Sequence, residues 1–272
     1  MKKFASVYVA LAVSIVVLNS RAVASPTSVT FTGGAPSTVK SEKSVFLKAS
    51  ATFTISNSEY LVIDLSNIST NAAKVDGDIL TAMFFDIAPT LANPLVTSSA
   101  TVAPGNDIFG PMYFGNDTIV SGQWAYRGDL GGRGSQNAPE PYGISSTSFK
   151  KYFNLGDLFN DHQILNGTKP LNGVGFGLLD TVAVSPNAAS DVQKADFIQN
   201  TIQLVLNDLP VNFSLTDISD VSFEFGTSFK SGSGTTIPGV LVGSIPEPST
   251  IMLVAAGLLG VFTLIRSRAR SR

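Results

Sequence analysis

ATFTISNSEYLVIDLSN, residues 51–67, decides the class of fold. Ala51, Phe53 and Ile55 alternate with Thr52 and Thr54, and Leu61, Ile63 and Leu65 alternate with Tyr60, Val62 and Asp64. At 100° per residue these apolar side chains would scatter around a helix. At 180° they line one face of a strand. The same period returns in Ile202, Leu204 and Leu206. It returns again in Val221, Phe223 and Phe225, set against Ser222 and Glu224 on the face expected to meet solvent. Gly, Pro and Asn punctuate the runs, and the region between the termini has no convincing helical period. Residues 192–200 offer one turn of helix at most. Many short, one-face-apolar strands predict an all-β fold of β-sandwich type.

Composition sets the remaining bounds. Of 272 residues 44% are hydrophobic and only 14% charged, well below the charge of an ordinary soluble domain, about 25%. The apolar excess lies at the two ends. Met1-Lys2-Lys3, an apolar run over 4–18 and Ala22-Val23-Ala24 have the layout of a secretory signal peptide. Signal peptidase is expected to cut between Ala24 and Ser25. The expected organisation is a signal peptide over 1–24, a β-rich ectodomain over 25–243 and an apolar, arginine-ended tail over 244–272. The ectodomain carries eleven Lys and Arg against nineteen Asp and Glu, near −8, with its cations scattered. Nucleic acid calls for the opposite pattern, so it is not an expected partner.

There is no cysteine and a single histidine, His162. Thiolate nucleophiles and most zinc sites are thereby excluded. His162 sits in a polar run, NLGDLFNDHQ, with no Gly-x-Ser-x-Gly elbow anywhere to make a catalytic triad of it. No catalytic residue, metal or cofactor is expected. Asp76/Asp78, Asn106/Asp107 and Asn116/Asp117 lie in Gly-containing turns, where Asx side chains serve the backbone more often than calcium. Trp124 and Tyr126 stand two apart. Exposed on a strand they could form a glycan platform; buried they belong to the core, which is the expectation. Gly173, Gly175 and Gly177 alternate with Val174, Phe176 and Leu178, as in a strand with one bare face against a close neighbour. Residues 128–143, GDLGGRGSQNAPEPYG, are expected to form a long surface loop. Arg127-Gly128-Asp129 and the sequons at Asn67, Asn116, Asn166 and Asn212 are taken as coincidences of composition.

The tail is the most specific signal. Residues 251–265, IMLVAAGLLGVFTLI, are uncharged on every side. As a helix they span about 22 Å, extended toward the bilayer thickness by Ser249, Thr250 and snorkelling arginines. Nine Leu, Ile, Val or Phe residues favour insertion by a few kcal/mol, on the order of 0.3–0.6 each. Arg266, Arg268, Arg270 and Arg272 then read as a cytoplasmic stop. Pro246 and Pro248 keep the approach extended and present Glu247 between them.

Pro246-Glu247-Pro248, the apolar segment and the Arg-rich end resemble the PEP-CTERM sorting signal of bacterial exported proteins. That resemblance implies recognition of Pro246, Glu247 and Pro248 by exosortase, a membrane-embedded processing enzyme. It also implies transient residence in the inner membrane, delivery to the cell surface or extracellular matrix, and a link to exopolysaccharide and biofilm. Residues 122–229, with GQWAYRGDLGG, YGISS, FIQNTIQLVLNDLP and ISDVSFEFGTSF, resemble ectodomains carried above such tails in cyanobacterial surface proteins. The expected function is a structural or interaction role rather than catalysis. The alternatives are a carbohydrate-binding surface module built on Trp124 and Tyr126 and, behind it, a secreted hydrolase.

Overall fold

A computed structural model of the chain describes residues 26–41, 44–57, 59–91, 95–111, 118–128, 130, 139–149, 171, 173–180 and 184–246. The expected signal peptide, His162, the residues from Glu247 to Arg272 and most of the 128–143 loop lie outside the described residues.

Two sheets carry the chain. The first has six strands in the order β14-β1-β2-β3-β11-β5: β1 Pro26–Pro36, β2 Phe46–Ser56, β3 Tyr60–Asn67, β5 Val96–Val102, β11 Thr201–Asn207 and β14 Val240–Pro246. The alternation read at residues 51–67 becomes β2 and β3. Their register pairs Ala51 with Leu65 and Phe53 with Ile63, and β11 adds Leu204 beside Ile63. All five of these side chains are buried, so pairing aligns three apolar rows into one continuous face. Asn57, at φ 53°, occupies the left-handed region in the turn between β2 and β3, a conformation Asn tolerates better than bulkier residues.

The second sheet has eight strands: β4 Leu80–Ile87, β6 Ile108–Phe109, β7 Ala125–Arg127, β8 Tyr142–Ser145, β9 Leu178–Leu179, β10 Phe197–Gln199, β12 Ile218–Gly226 and β13 Gly234–Pro238. Its main path runs β13-β12-β4-β9-β10-β6, with β8 joining β4 to β7. One turn of helix, α1 (Ser190–Lys194), precedes β10 and matches the limited helix expected from residue 192.

The sheets pack face to face as a sandwich, and residues 27–245 form one compact unit. Phe53 of the first sheet meets Phe85 of the second edge-on at 5.4 Å. Phe31 and Tyr142 extend the aromatic row on either side, at 5.9 Å from Phe53 and 5.7 Å from Phe85. Asn67 stitches the layers: its Nδ2 donates to the Leu178 carbonyl at 2.8 Å, and its Oδ1 accepts from the Ser69 amide. The sequon at Asn67 is thus buried and already hydrogen-bonded.

Two local expectations need correction. Ser222 and Glu224 do not face solvent: Ser222 is 7% exposed and Glu224 fully buried. The outer face of the second sheet is itself covered, because Leu130, Phe149, Leu171 and Phe229 pack over Ala82 and Phe84. Phe149 and Phe229 stack at 4.6 Å above Phe84. Gly173, Gly175 and Gly177 are not in a strand either. Residues 173–176 form a turn, and β9 begins at Leu178. Close packing holds only at Gly177, where an added Cβ would stand 2.5 Å from Ile79 Cγ2; at Gly173 and Gly175 the space is open.

Candidate functional site

The tail joins the fold without a spacer. β14 runs to Pro246, the first residue of Pro246-Glu247-Pro248, so the boundary expected at 243 falls inside a strand. β14 is the terminal strand of the six-stranded sheet, hydrogen-bonded to β1 on one side and open on the other among the described residues. Proline has no N–H to continue a ladder, which suits a strand end where the chain leaves the sheet. Val240, Leu241 and Val242 are 65%, 54% and 58% exposed. Consecutive strand residues point to opposite faces. The edge is therefore apolar on both sides, immediately upstream of the tripeptide.

Trp124 and Tyr126 come together as expected, in the core. Trp124 is fully buried just ahead of β7, its Nε1 donating to the Phe176 carbonyl at 3.0 Å. Tyr126 in β7 is 5% exposed. Neither ring offers a face to a sugar, so the glycan-platform reading of this pair is withdrawn. Burial won because β7 is paired into the second sheet through β8, Tyr126 opposite Ile144, and both rings join the main core.

Three acidic sites arise that spacing did not reveal. Asp76 and Asp191 line an open pocket of about 360 Å³ with Val39, Gly77, Ser228 and Ser233. Burial, and then the charge and hydrogen bond of Asp191, raise Asp76 from 3.8 to about 6. The nearby Asp191 carboxylate thus adds to burial in disfavouring the ionised form of Asp76. Asp78, beside them, serves the backbone: its Oδ2 accepts from the amides of Lys74 and Val75. Asn106 does likewise, its Nδ2 donating to the Ala103 and Pro104 carbonyls, as expected of turn residues.

The second site groups Asp86, Glu140 and Asp220, whose carboxylate oxygens lie within 4.8 Å of one another. Burial and the two neighbouring charges push Glu140 up to about 7. Oxygen donors of this kind suit a hard cation such as calcium. Two of the three are already engaged, Asp86 Oδ1 by the Ile87 amide and Asp220 Oδ2 by the Ser219 hydroxyl. The residues come from β4, the approach to β8 and a bulge of β12, where Asp220 adopts φ 49°. Only strand pairing brings them together, so no sequence signal could have found them.

The third is Glu224 alone. Its Oε2 accepts from Thr236 Oγ1, while Oε1 has no hydrogen-bond partner. Burial raises it from 4.5 to about 8, so the acid is neutral at pH 7.

The class is now defined: a β-sandwich ectodomain whose last edge strand leads directly into an apolar, arginine-ended tail. The family model described as PEP-CTERM protein-sorting motif matches residues 244–269, so the chain carries a PEP-CTERM sorting motif and is an exosortase-targeted exported surface protein. The match covers only the tail and lends nothing to the cyanobacterial likeness of residues 122–229. Neither the curated proteins nor the solved structures contain a match to this chain. Among the described residues no helix is long and apolar enough to cross a membrane; the segment expected to do so, 251–265, lies outside them.

Proposed function

We propose that this protein is a non-catalytic structural or interaction protein of the cell surface or extracellular matrix, associated with exopolysaccharide and biofilm. It is exported with its signal peptide removed, held transiently in the inner membrane by residues 251–265, and released when exosortase reads Pro246, Glu247 and Pro248. The observation that carries this reading is the sorting motif at 244–269 fused without a spacer to the last strand of a sandwich. Burial of Trp124 and Tyr126 removes the basis of a carbohydrate-module reading built on that pair.

Two epitopes test it, one inserted after Gly105 in an exposed turn and one after Arg272. The turn epitope should reach the surface or medium without the tail epitope, and Glu247→Ala should keep both in the membrane. Surface protein that still carries both epitopes would refute processing. A matrix role further requires that the released ectodomain co-fractionate with extracellular polysaccharide. Its loss from that fraction in wild-type cultures would confine the protein to another surface role.

A further inference from the structure

We infer that β14 is a docking strand for the membrane-embedded processing enzyme, which adds its own extended segment to the open edge of the six-stranded sheet before it reads the tripeptide. This rests on the exosortase reading and extends it from three residues to the strand that precedes them.

Three observations converge on β14. Among the described residues it is the free edge of its sheet, so one side presents backbone N–H and C=O groups with no strand beside them, the usual template for strand addition. Sandwich proteins blunt such edges with charge or proline inside the strand. Over Val240-Leu241-Val242-Gly243-Ser244-Ile245 there is neither, and proline comes only at the last position, Pro246. Second, Val240, Leu241 and Val242 form a contiguous exposed apolar run, whereas Phe46, Ile68, Val96, Ile119 and Val211 are exposed singly along the chain. A contiguous patch is the one that calls for a partner. Third, the strand immediately precedes the motif in the chain, Ile245 being followed by Pro246-Glu247-Pro248. An enzyme that reads those three residues has 240–245 as the next chain within its reach.

Reach favours this occupant over others. From Pro246 to Ile251 the chain covers at most about 18 Å, so a tethered molecule offers β14 to whatever stands in the membrane beside the tail. A second copy would compete for the edge. Antiparallel pairing of two β14 strands, however, sends the two tails out at opposite ends, about 20 Å apart, and leaves each motif without the enzyme. A lipid surface would accept the apolar side chains but cannot satisfy the backbone edge.

The test uses the full chain co-expressed with its exosortase, following loss of a C-terminal epitope over time. Wild type, Glu247→Ala, the triple variant Val240→Thr/Leu241→Thr/Val242→Thr and the single variant Leu241→Lys are compared. Threonine keeps the β propensity and removes the apolar surface. Both edge variants should lose the tail about tenfold more slowly and recover when the enzyme is overexpressed, as a docking defect must. Glu247→Ala should not recover. Protease resistance of the ectodomain confirms folding; should the triple variant fail that check, Leu241→Lys decides. Wild-type rates in a folded edge variant overturn the docking role, including where the same variant changes vesicle binding or self-association. Those results would assign the edge to lipid or to a second copy. A wild-type chain that keeps its tail, or a Glu247→Ala variant that loses it normally, sinks the sorting reading and the docking role with it.

Discussion

Replacing Glu224 by glutamine should make the fold more stable, and by an amount that grows with pH. In the folded chain burial raises the carboxyl from 4.5 to about 8, and Oε1 has no partner. Unfolded, the same group ionises near its ordinary value. Between those two values the native state holds one proton that the unfolded state has released, so stability falls by about 1.4 kcal/mol per pH unit. The contribution of the protonated group is fully present below about 4.5 and is lost as pH rises, levelling off above about 8. Glu224→Gln keeps the shape and cannot ionise. Its advantage over wild type should be about 1 kcal/mol from this effect at pH 5, about 3 at pH 7 and nearly 5 at pH 9. Any constant difference in packing cancels when the two pH profiles are subtracted. The titrations of Glu140 and Asp76, common to both proteins, cancel as well. The assay is urea unfolding of the purified chain at pH 5, 7 and 9, with slopes compared to verify that the unfolded states match. Parallel profiles, with a difference that moves by less than about 1 kcal/mol across that range, would refute the reasoning. Glu224 would then be ionised in the fold.

Three further substitutions follow from the packing. Trp124→Ala should cost about 3–5 kcal/mol in chemical unfolding, as a fully buried ring does, and leave binding to matrix polysaccharide unchanged if the protein still folds. Gly234→Ala should destabilise by about 3 kcal/mol or prevent folding, because its Cβ would stand 1.8 Å from the Ser228 carbonyl oxygen, a backbone atom; a shift in melting temperature reads this directly. Asn67→Leu should cost about 1–3 kcal/mol by leaving the Leu178 carbonyl without its donor across the two sheets, and amide exchange around β3 and β9 should rise together.

The strands that proved legible were those whose two faces have different fates. In β2, β3 and β11 the alternating residues 51/53, 61/63/65 and 202/204/206 all turn inward, while Thr52, Val62, Asp64 and Gln203 on the other face are only half-buried. β12 misled for the opposite reason. Its Ser222 and Glu224 look like a solvent face, but Phe149 arrives from a distant segment and Phe229 from just beyond the strand to cover it, and nothing within residues 218–226 announces that. Pairing order was equally hidden: β11 enters between β3 and β5, more than a hundred residues earlier in the chain. Gly177 carried a true signal of close packing and a false one of strand, because a glycine needed for contact looks the same in a turn. The sorting tail was legible because its physics is local. Two prolines, an acid, an apolar run and spaced arginines follow one another along the chain, so the motif is readable without a partner from elsewhere in the fold. The Asp86, Glu140 and Asp220 grouping is the reverse case, three unremarkable positions joined only by the sheet.

The mass of the mature protein tests the central claim most directly. Protein recovered from the cell surface or medium should begin at Ser25 and lack both the apolar segment 251–265 and the arginines beyond it, with β14 intact at the new end. Surface protein whose mass includes residues 251–272 would contradict the account, since the tail would then be an anchor and not a signal to be removed.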